Sequence, residues 1–366
     1  MIPNAKQWNA TPEQWQNAQW QLQHLITTPE KLFEVLGTDS FPGLATCHKT
    51  YSLRVTPYYL SLAKSTSPSD PILRQCLPSA DELIDSGNGE DDPLDEERCS
   101  PIPRLCHRYP DRVLYITGNL CATHCRHCMR KRYWNQTLPP PDEAELETAV
   151  KYLCKHTEVR EVLISGGDPL MFSDKKIKQI LTAFSTVPNI EMLRIGSRLP
   201  VVLPMRFTKD FCKILGSCGK PVWFATHFNH PNELTENTAK CIHNLLTAGI
   251  PVVNQSVLLK GINDNAETLR LLFTGLLKNK IKPYYLFHGD PVLGTTHFRT
   301  GVKKGIELMD TLRGRISGLA LPAFAFDLPH GAGKVRVEPD INLGKDKNGA
   351  TIYRSYEGKA VAYPDW

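Results

Sequence analysis

The chain has 366 residues, of which 41% are hydrophobic and 22% are charged, an ordinary composition for a globular protein. Its net charge of +5 is a weak signal that fits an anionic cofactor as easily as nucleic acid. No basic start leads into an apolar run and no apolar stretch approaches membrane-spanning length, so neither a secretory signal nor a membrane partner is predicted. Eleven cysteines, an odd number in a long chain, argue against a disulfide scaffold and favour the reducing cytoplasm.

The N-terminal third, residues 1–105, is predicted to be a helical cover. Thr11-Pro-Glu-Gln14 and Thr28-Pro-Glu-Lys31 both have residues that begin helices, and Gly37 is placed to end the second helix. From 42 to about 103, prolines divide the chain into short helices. The acidic, glycine-containing stretch 85–92 is predicted to be a solvated loop.

After residue 112, apolar runs alternate with helical patterns. The runs are 113–117, 161–165, 192–197, 222–226, 251–257 and 283–287. Strands that alternate with helices build parallel sheets, and about six such units fit an incomplete β/α barrel with its active site at the carboxyl ends of the strands. We therefore predict an α/β fold with a parallel β/α barrel at 106–295 and a C-terminal segment at 296–366.

Three cysteines follow the first run at C-x3-C-x2-C spacing, in Cys121-Ala-Thr-His-Cys125-Arg-His-Cys128. Three thiolates can bind three irons of a cubane and leave the fourth iron open to a small molecule. Zinc bound by the same cysteines with His124 or His127 is the alternative, although structural zinc usually draws two separated pairs of ligands. The triplet resembles the radical S-adenosylmethionine (SAM) enzymes, which implies a 4Fe–4S cluster that binds SAM and a barrel of the radical SAM type.

A second motif, Ser165-Gly166-Gly167-Asp168, stands at the end of the second run. Its glycines would let the backbone approach a ligand closely, and its carboxylate could accept from a ribose hydroxyl or an ammonium. Alone it is equally typical of a turn. One strand after the cysteine triplet, it resembles the loop that binds the SAM amino group in radical SAM enzymes.

Four further segments resemble the lysine 2,3-aminomutase family: His107-Arg-Tyr-Pro-Asp-Arg112, Arg126-His-Cys-Met-Arg-Lys-Arg132, Asn254-Gln-Ser-Val-Leu258 and Asp327-Leu-Pro-His-Gly-Ala-Gly-Lys334. The resemblance runs from about residue 15 to about residue 339. It implies an isomerase that uses the cluster, SAM and pyridoxal 5'-phosphate (PLP) to move the α-amino group of free L-lysine to the β-carbon, giving β-lysine. It also implies a cytosolic electron donor such as flavodoxin or ferredoxin.

The resemblance also assigns roles to single residues. Lys334 corresponds to the lysine that holds PLP covalently, and primary amines suit that task. The other assignments are Arg108 and Arg112 to the PLP phosphate, Gln255 to cofactor binding, Arg130 to the substrate carboxylate, and Asp290 and Asp327 to the ε-ammonium of lysine. Without the family, Lys334, Arg108 and Arg112 would be surface residues and Asp290 a turn residue before Pro291. Lys131 and Arg132, beside Arg130, are expected to form a solvated face.

One departure from the family concerns zinc. Longer lysine aminomutases carry a zinc site at the subunit interface, built in part from a barrel cysteine. The corresponding position here is Asn265, and no cysteine follows Cys241. No zinc is therefore predicted, and a homo-oligomer remains an open expectation.

Three alternatives stand beside free lysine. The same chemistry could act on another cationic amino acid such as arginine, or on a lysine of elongation factor P; Asp327 argues against the latter, because that relative is expected to lack this acid. A non-catalytic iron–sulfur or zinc protein could bind nucleic acid through 126–132, but only Tyr133 and Trp134 could stack on bases there. No nucleic-acid partner is predicted.

Overall fold

The computed structural model describes residues 7–38, 41–84, 87 and 89–364 of the chain. The predicted acidic loop lies only partly within these ranges, because residues 85, 86 and 88 fall outside them. Within the same ranges, no helix is long and apolar enough to cross a lipid bilayer.

Short helices make up the N-terminal segment. Those that the structure describes are α1 Pro12–Trp15, α2 Ala18–Gln23, α3 Pro29–Leu36, α4 Leu44–Thr50, α5 Pro57–Leu60 and α6 Leu73–Cys76. The two predicted helix starts are confirmed: Thr11 forms a capping box with Gln14, and Thr28 caps α3, which ends where Gly37 adopts a left-handed φ of 61°. Ile26 and Leu32 belong to the same apolar core as the barrel residues.

A nine-stranded sheet, with its strands in sequence order, forms the body of the protein. The strands are β1 Leu105–Tyr109, β2 Arg112–Ile116, β3 Glu161–Ser165, β4 Met192–Gly196, β5 Val222–Thr226, β6 Val252–Leu258, β7 Lys282–His288, β8 Ala323–Leu328 and β9 Gly333–Arg336. Strands β2 to β8 are parallel, whereas β1 and β9 pair antiparallel with β2 and β8. Each of the six predicted runs forms one of the strands β2 to β7.

The parallel strand β8 is an addition to the six units expected. Only Phe324 and Ala325 of its six residues are buried, so its apolar run is too short to stand out in the sequence. Strands β8 and β9 extend the sheet past residue 295 into the segment predicted to follow the barrel. Lys334 therefore lies in the same sheet as the strand that precedes the cysteines.

The two edge strands of the sheet approach each other. The hydroxyl of Tyr109, at the end of β1, accepts a hydrogen bond of 2.9 Å from the backbone N–H of Lys334 on β9. This contact draws the first and last strands together and nearly closes the sheet into a barrel. The loops after the parallel strands therefore converge on one interior, where barrel enzymes place their chemistry.

Helices cover the outside of the sheet. They are α7 Glu143–Lys155, α8 Asp174–Ser185, α9 Leu199–Val202, α10 Lys209–Gly216, α11 Glu236–Thr247, α12 Ala266–Lys278 and α13 Val302–Leu312. The buried residues Ile177, Ile180, Leu181 and Phe184 of α8 recur at helical spacing, so one face of this helix packs on the core. Asn265 caps α12 by accepting from the N–H of Thr268 at 2.9 Å.

A smaller antiparallel sheet follows at the C-terminus, with strands β10 Asn342–Lys345, β11 Thr351–Arg354 and β12 Ala360–Tyr363. The Arg354 side chain donates to Asp310 of α13 at 2.9 Å, which ties this sheet to the helical layer.

Candidate active site

A cavity of about 710 Å³ extends from the loops after β2 and β3 into the barrel interior. Every residue predicted for the site lines it: Arg108, Arg112, Cys121, Cys125, Cys128, Arg130, Ser165, Gly166, Gly167, Asp168, Gln255, Asp290, Asp327 and Lys334. The fold thus brings together residues that are distant in the sequence, from Arg108 on β1 to Lys334 on β9. The volume of the cavity falls within the range of small-molecule and cofactor sites.

The Gly-Gly-Asp loop packs directly on the cysteine loop. The N–H of Gly167 donates to the carbonyl of Gly118 at 2.6 Å, and that of Asp168 donates to Leu120 at 2.8 Å. A Cβ on Gly166 would lie 2.5 Å from the Gly118 oxygen, and one on Gly167 would lie 2.5 Å from the Asn119 carbonyl carbon. The sequence analysis predicts that these glycines let the backbone approach a ligand. In the structure, the close contact that requires glycine is between two backbone loops.

The three cysteines have different neighbours. Cys125 Sγ accepts a hydrogen bond from Arg198 Nη1 at 2.9 Å, and Cys128 Sγ accepts from the Arg130 N–H at 3.3 Å. Burial raises the pKa of the Cys121 and Cys128 thiols, reinforced at Cys121 by Asp168 and the other two cysteines and at Cys128 by Cys125. Buried thiols of this kind become thiolates when metal cations replace their protons, which suits cluster ligands.

The three cysteines lie on one loop in the cavity wall, where each thiolate of a cubane would bind a different iron. Of the two candidate zinc histidines, His124 stacks on Trp134 at 4.4 Å and contacts the Ser52 carbonyl at 3.0 Å, whereas His127 lies in the cavity wall.

Arg198 is a site residue that the sequence analysis missed. Its side chain is 8% exposed, and Nη2 lies 2.8 Å from Glu233 Oε1 and 2.7 Å from Gln75 Oε1 while Nη1 donates to Cys125. The arginine therefore puts a buried positive charge beside Cys125, a predicted cluster ligand. A signal was available, because Arg198 lies two residues after the end of β4, at the same edge of the sheet that carries the cysteine and Gly-Gly-Asp loops.

The Asp168 carboxylate accepts hydrogen bonds from neighbouring residues of the protein. It accepts from Ser197 Oγ at 2.8 Å and from the Arg198 N–H at 2.9 Å, and burial raises its pKa to about 6. These contacts fix the carboxylate at the cavity wall and join the loops after β3 and β4.

The basic stretch after the cysteines is buried, contrary to the solvated face expected for Lys131 and Arg132. Arg126 is 0% exposed, and both Arg126 and Lys131 lie 2.6 Å from the Glu82 carboxylate. Arg132 pairs with Asp92 at 3.1 Å. The acids of the N-terminal segment neutralise these cations, so the stretch offers no exposed basic surface among the described residues for nucleic acid.

Lys334 lies among charged and aromatic neighbours. Its Nζ is 2.6 Å from Asp327 Oδ2 and 4.1 Å from the centre of the Phe287 ring. Asp327 also faces Arg108, whose Nη1 lies 3.5 Å from Oδ1. The predicted PLP lysine, one predicted substrate acid and one predicted phosphate arginine thus form a contiguous group on β8, β9 and β1.

Asp290, at the end of β7, is the second predicted substrate acid. Burial, reinforced by the charge of Asp327, raises the pKa of Asp290 to about 7, although Lys334 and Arg299 oppose the shift. Two carboxyl groups that share a buried space resist ionising together unless a cation lies between them. The pair therefore forms a site that favours a positively charged group.

Arg112 and Arg130 have protein partners in this structure. Arg112 donates to Asp111 at 2.6 Å and stacks 3.8 Å over the Tyr109 ring. Arg130 makes two hydrogen bonds to Glu96, at 2.5 Å and 2.9 Å. Gln255 lies on β6, in the wall of the same cavity.

Comparison with known families agrees with this geometry. Residues 115–272, which include the cysteine loop and strands β3 to β6, match the Radical SAM superfamily. Residues 309–366 match the family described as Lysine-2,3-aminomutase. The fold and the three-cysteine loop thus define a radical SAM enzyme.

Similar proteins identify the family within the radical SAM enzymes. An L-lysine 2,3-aminomutase of Acetoanaerobium sticklandii is 40% identical over 98% of this chain and 86% of its own length. One of Clostridium subterminale is 41% identical over 96% and 84%. A glutamate 2,3-aminomutase of Clostridioides difficile is 36% identical over 98% and 84%. The chain belongs to the lysine 2,3-aminomutase family, which confirms the resemblance; its members are isomerases that use a 4Fe–4S cluster, SAM and PLP.

Proposed function

We propose that this protein converts free L-lysine to β-lysine by moving the α-amino group to the β-carbon. The observation that carries the proposal is the pair of acids, Asp290 and Asp327, beside Lys334 in the cavity that also holds the cluster cysteines. The L-lysine 2,3-aminomutase relatives support the same substrate, and the glutamate 2,3-aminomutase relative shows that the family also includes an enzyme for an acidic substrate.

The charges at the acid pair favour a cationic substrate. Without a cofactor, the Lys334 ammonium neutralises Asp327 across 2.6 Å. When Lys334 holds PLP, that ammonium is no longer available. Arg108, 3.5 Å from Asp327, then also has the proposed PLP phosphate to bind, so the two acids favour a further cation. The ε-ammonium of lysine would fill this place, whereas the second carboxylate of glutamate would be repelled.

Arg130 would hold the other end of the substrate. A guanidinium presents several N–H donors in one plane, an arrangement that matches a carboxylate. Arg130 lines the cavity next to Cys128 through its backbone, so a substrate bound by this residue would lie close to the cluster. Fixing both ends of the substrate holds its α- and β-carbons in one place, which is how positioning lowers a reaction barrier.

The remaining predicted residues would hold the cofactors. When bound, the cluster and SAM supply a carbon radical that removes a hydrogen atom from the substrate, and PLP carries the migrating nitrogen. The cysteines would bind three irons, and the 165–168 loop and Gln255 would line the SAM site. Arg108 and Arg112 would bind the PLP phosphate, for which Arg112 would exchange its contact with Asp111.

This chemistry also needs an electron donor and a reducing compartment. The cluster requires a one-electron donor, for which a flavodoxin or ferredoxin is suited, and an oxygen-poor, reducing compartment such as the cytoplasm. The eleven cysteines are all unpaired, as in proteins of reducing compartments. The proposed protein forms a homo-oligomer, and no residue is assigned to its interface.

Anaerobic turnover tests the substrate. The reconstituted protein, with SAM, PLP and a reductant, is incubated with free L-lysine, and β-lysine is measured by mass spectrometry. We expect product from the wild type, none from Lys334→Ala, and at least about a hundredfold less from Asp327→Asn, because the ammonium site loses one of its two carboxylates. The exposed residues Lys345 and Asp340 supply the controls Lys345→Ala and Asp340→Asn, which should retain wild-type turnover.

The other outcomes separate the substrate from the chemistry. Cleavage of SAM without β-lysine would exclude lysine and keep the radical enzyme, and L-arginine or elongation factor P would then be tried. Full activity of Lys334→Ala would contradict the role of this lysine.

A further inference from the structure

The contact between Glu96 and Arg130 has geometry that the proposed roles do not use. Glu96 Oε2 accepts from Arg130 Nε at 2.9 Å, and Oε1 accepts from Nη2 at 2.5 Å, so the two side chains form a paired, two-bond contact. Both are shielded from solvent, with the Glu96 side chain 4% exposed and that of Arg130 14% exposed. Both also line the active-site cavity.

Glu96 is itself held in place. It lies in the N-terminal segment that precedes β1, and Arg132 Nη2 donates to its Oε2 at 3.3 Å. Arg132 is in turn paired with Asp92 at 3.1 Å. The Glu96 carboxylate is therefore held by Arg132 as well as by Arg130, and its two hydrogen bonds to Arg130 fix the plane of that guanidinium.

The atoms that Glu96 contacts determine what Arg130 can still offer. A guanidinium has five N–H donors in a plane, and Glu96 accepts from the edge formed by Nε and Nη2. The donors left over are those of Nη1 and the second hydrogen of Nη2, which form the adjacent edge of the same plane. A second carboxylate can bind that edge with two parallel hydrogen bonds.

The charge of Glu96 also affects how Arg130 binds a carboxylate. Because Glu96 neutralises Arg130, the net charge attracts a substrate carboxylate only weakly, and the two oriented N–H donors contribute more to its binding. Orientation is worth more when it is fixed in advance, because the rotamer entropy of the long side chain is then not lost on binding.

We infer that Glu96 is a positioning residue that orients Arg130 so that its free edge receives the α-carboxylate of the substrate. The inference rests on the proposed function in one respect, that the substrate is an α-amino acid. It assigns to the N-terminal segment a direct part in substrate selection, in addition to covering the barrel.

The test compares ligands that differ only in the carboxylate. Cluster- and PLP-loaded protein without reductant is titrated with L-lysine and with L-lysinamide, whose carboxylate is replaced by a neutral amide, and binding is followed by cofactor absorbance. For Glu96→Gln we expect about tenfold weaker binding of L-lysine and unchanged binding of L-lysinamide. Glu97→Gln, a substitution of the neighbouring acid that is 76% exposed, is the matched control and should change neither.

The kinetic readout separates positioning from stability. Glu96→Gln should raise KM with kcat little changed, because the carboxylate contact is made equally before and during reaction. Glu96→Asp, which keeps the charge on a shorter side chain, should fall between wild type and Glu96→Gln and also serves if the amide variant does not fold. Equal weakening of both ligands, or unchanged L-lysine binding, would overturn the inference.

Failure of the proposed substrate would look different. If the wild type bound L-arginine in place of L-lysine, the same comparison with L-argininamide would measure the carboxylate effect. If the wild type bound neither amino acid, the proposed function would be wrong, whereas the role of Glu96 would be overturned if Glu96→Gln left binding of the α-amino acid that the protein does accept unchanged.

Discussion

The two ends of the active-site cavity are built in different ways. At the cluster end, the cysteine loop is anchored by Arg126 and Lys131, which are 0% and 2% exposed and share the Glu82 carboxylate of the N-terminal segment. At the other end, Lys334 is 23% exposed and lies on the four-residue edge strand β9. One side-chain hydrogen bond, from Lys334 N–H to Tyr109, joins that strand to the opposite edge of the sheet.

The difference matches what each end must do. The proposed cluster ligands have to keep their geometry before and after a small molecule binds. Buried and paired charges therefore suit this end. In the proposed function, the Lys334 end admits a bulky ring and a substrate, and segments that open are those with few buried contacts. The comparison predicts that substitutions at the cluster end reduce the stability of the whole protein and that those at the Lys334 end act locally.

The largest effect is expected for Glu82→Gln. The substitution leaves Arg126 and Lys131 buried without their counter-charge, a loss that costs roughly 3–5 kcal/mol of unfolding free energy. Chemical denaturation of the cluster-free protein measures it. The adjacent, exposed Asp81 gives the control Asp81→Asn, which should stay within about 0.5 kcal/mol of wild type. A loss for Glu82→Gln as small as the control's would remove the contrast between the two ends.

The same residues mark the limit of what the sequence predicts. The cysteine spacing and the strand–helix alternation are local patterns, and the structure has the predicted strands close to their expected bounds. The partners of the basic stretch are not local. Glu82 lies 44 residues before Arg126, and Glu96 lies 34 residues before Arg130, with no periodicity to link them.

Other features were hidden for different physical reasons. Strand β8 buries too few residues to show an apolar run, and β9 has only four residues in a glycine-rich segment. The tight packing of Gly166 and Gly167 on the cysteine loop depends on two loops from different strands, which no single segment reveals. Family resemblance supplied the residues around Lys334, because their types alone are equally typical of a protein surface.

A second prediction, Gly167→Ala, tests the cluster end through its backbone. A Cβ at this position would lie 2.5 Å from the Asn119 carbonyl carbon, so the cysteine loop has to move. We expect a cost of about 1–3 kcal/mol, as for other overpacked sites, together with a clear loss of bound iron after reconstitution. Gly301 has open space around its Cα, so Gly301→Ala is the control. Full iron binding by Gly167→Ala would indicate that the loop adapts.

A third prediction concerns pH at the Lys334 end. Burial and the neighbouring Asp327 raise the pKa of Asp290 to about 7, so a cation bound between the acids displaces a proton at lower pH. Binding of 6-aminohexanoate, which has the terminal ammonium and carboxylate of lysine without the α-amino group, should weaken about tenfold from about pH 8 to about pH 6. Asp290→Asn should flatten this profile, whereas Asp340→Asn should keep it.

The same shift has a consequence for stability with a defined sign. The pKa of Asp290 is higher in the folded than in the unfolded protein, so the ligand-free protein loses stability as pH rises from about 4 through about 7. Asp290→Asn should therefore raise the melting temperature at about pH 8 more than at about pH 5. An equal change at both values would show that the carboxyl group does not titrate in this range.

The smallest effect is expected for Tyr109→Phe, which removes the acceptor that joins Lys334 N–H to the opposite edge of the sheet. One such hydrogen bond contributes about 1 kcal/mol, so amide hydrogen exchange in β9 should accelerate about fivefold while global unfolding changes little. Tyr363, which is 60% exposed, provides the control Tyr363→Phe. If Tyr109→Phe lowered global stability as much as Glu82→Gln, the Lys334 end would be as firmly built as the cluster end.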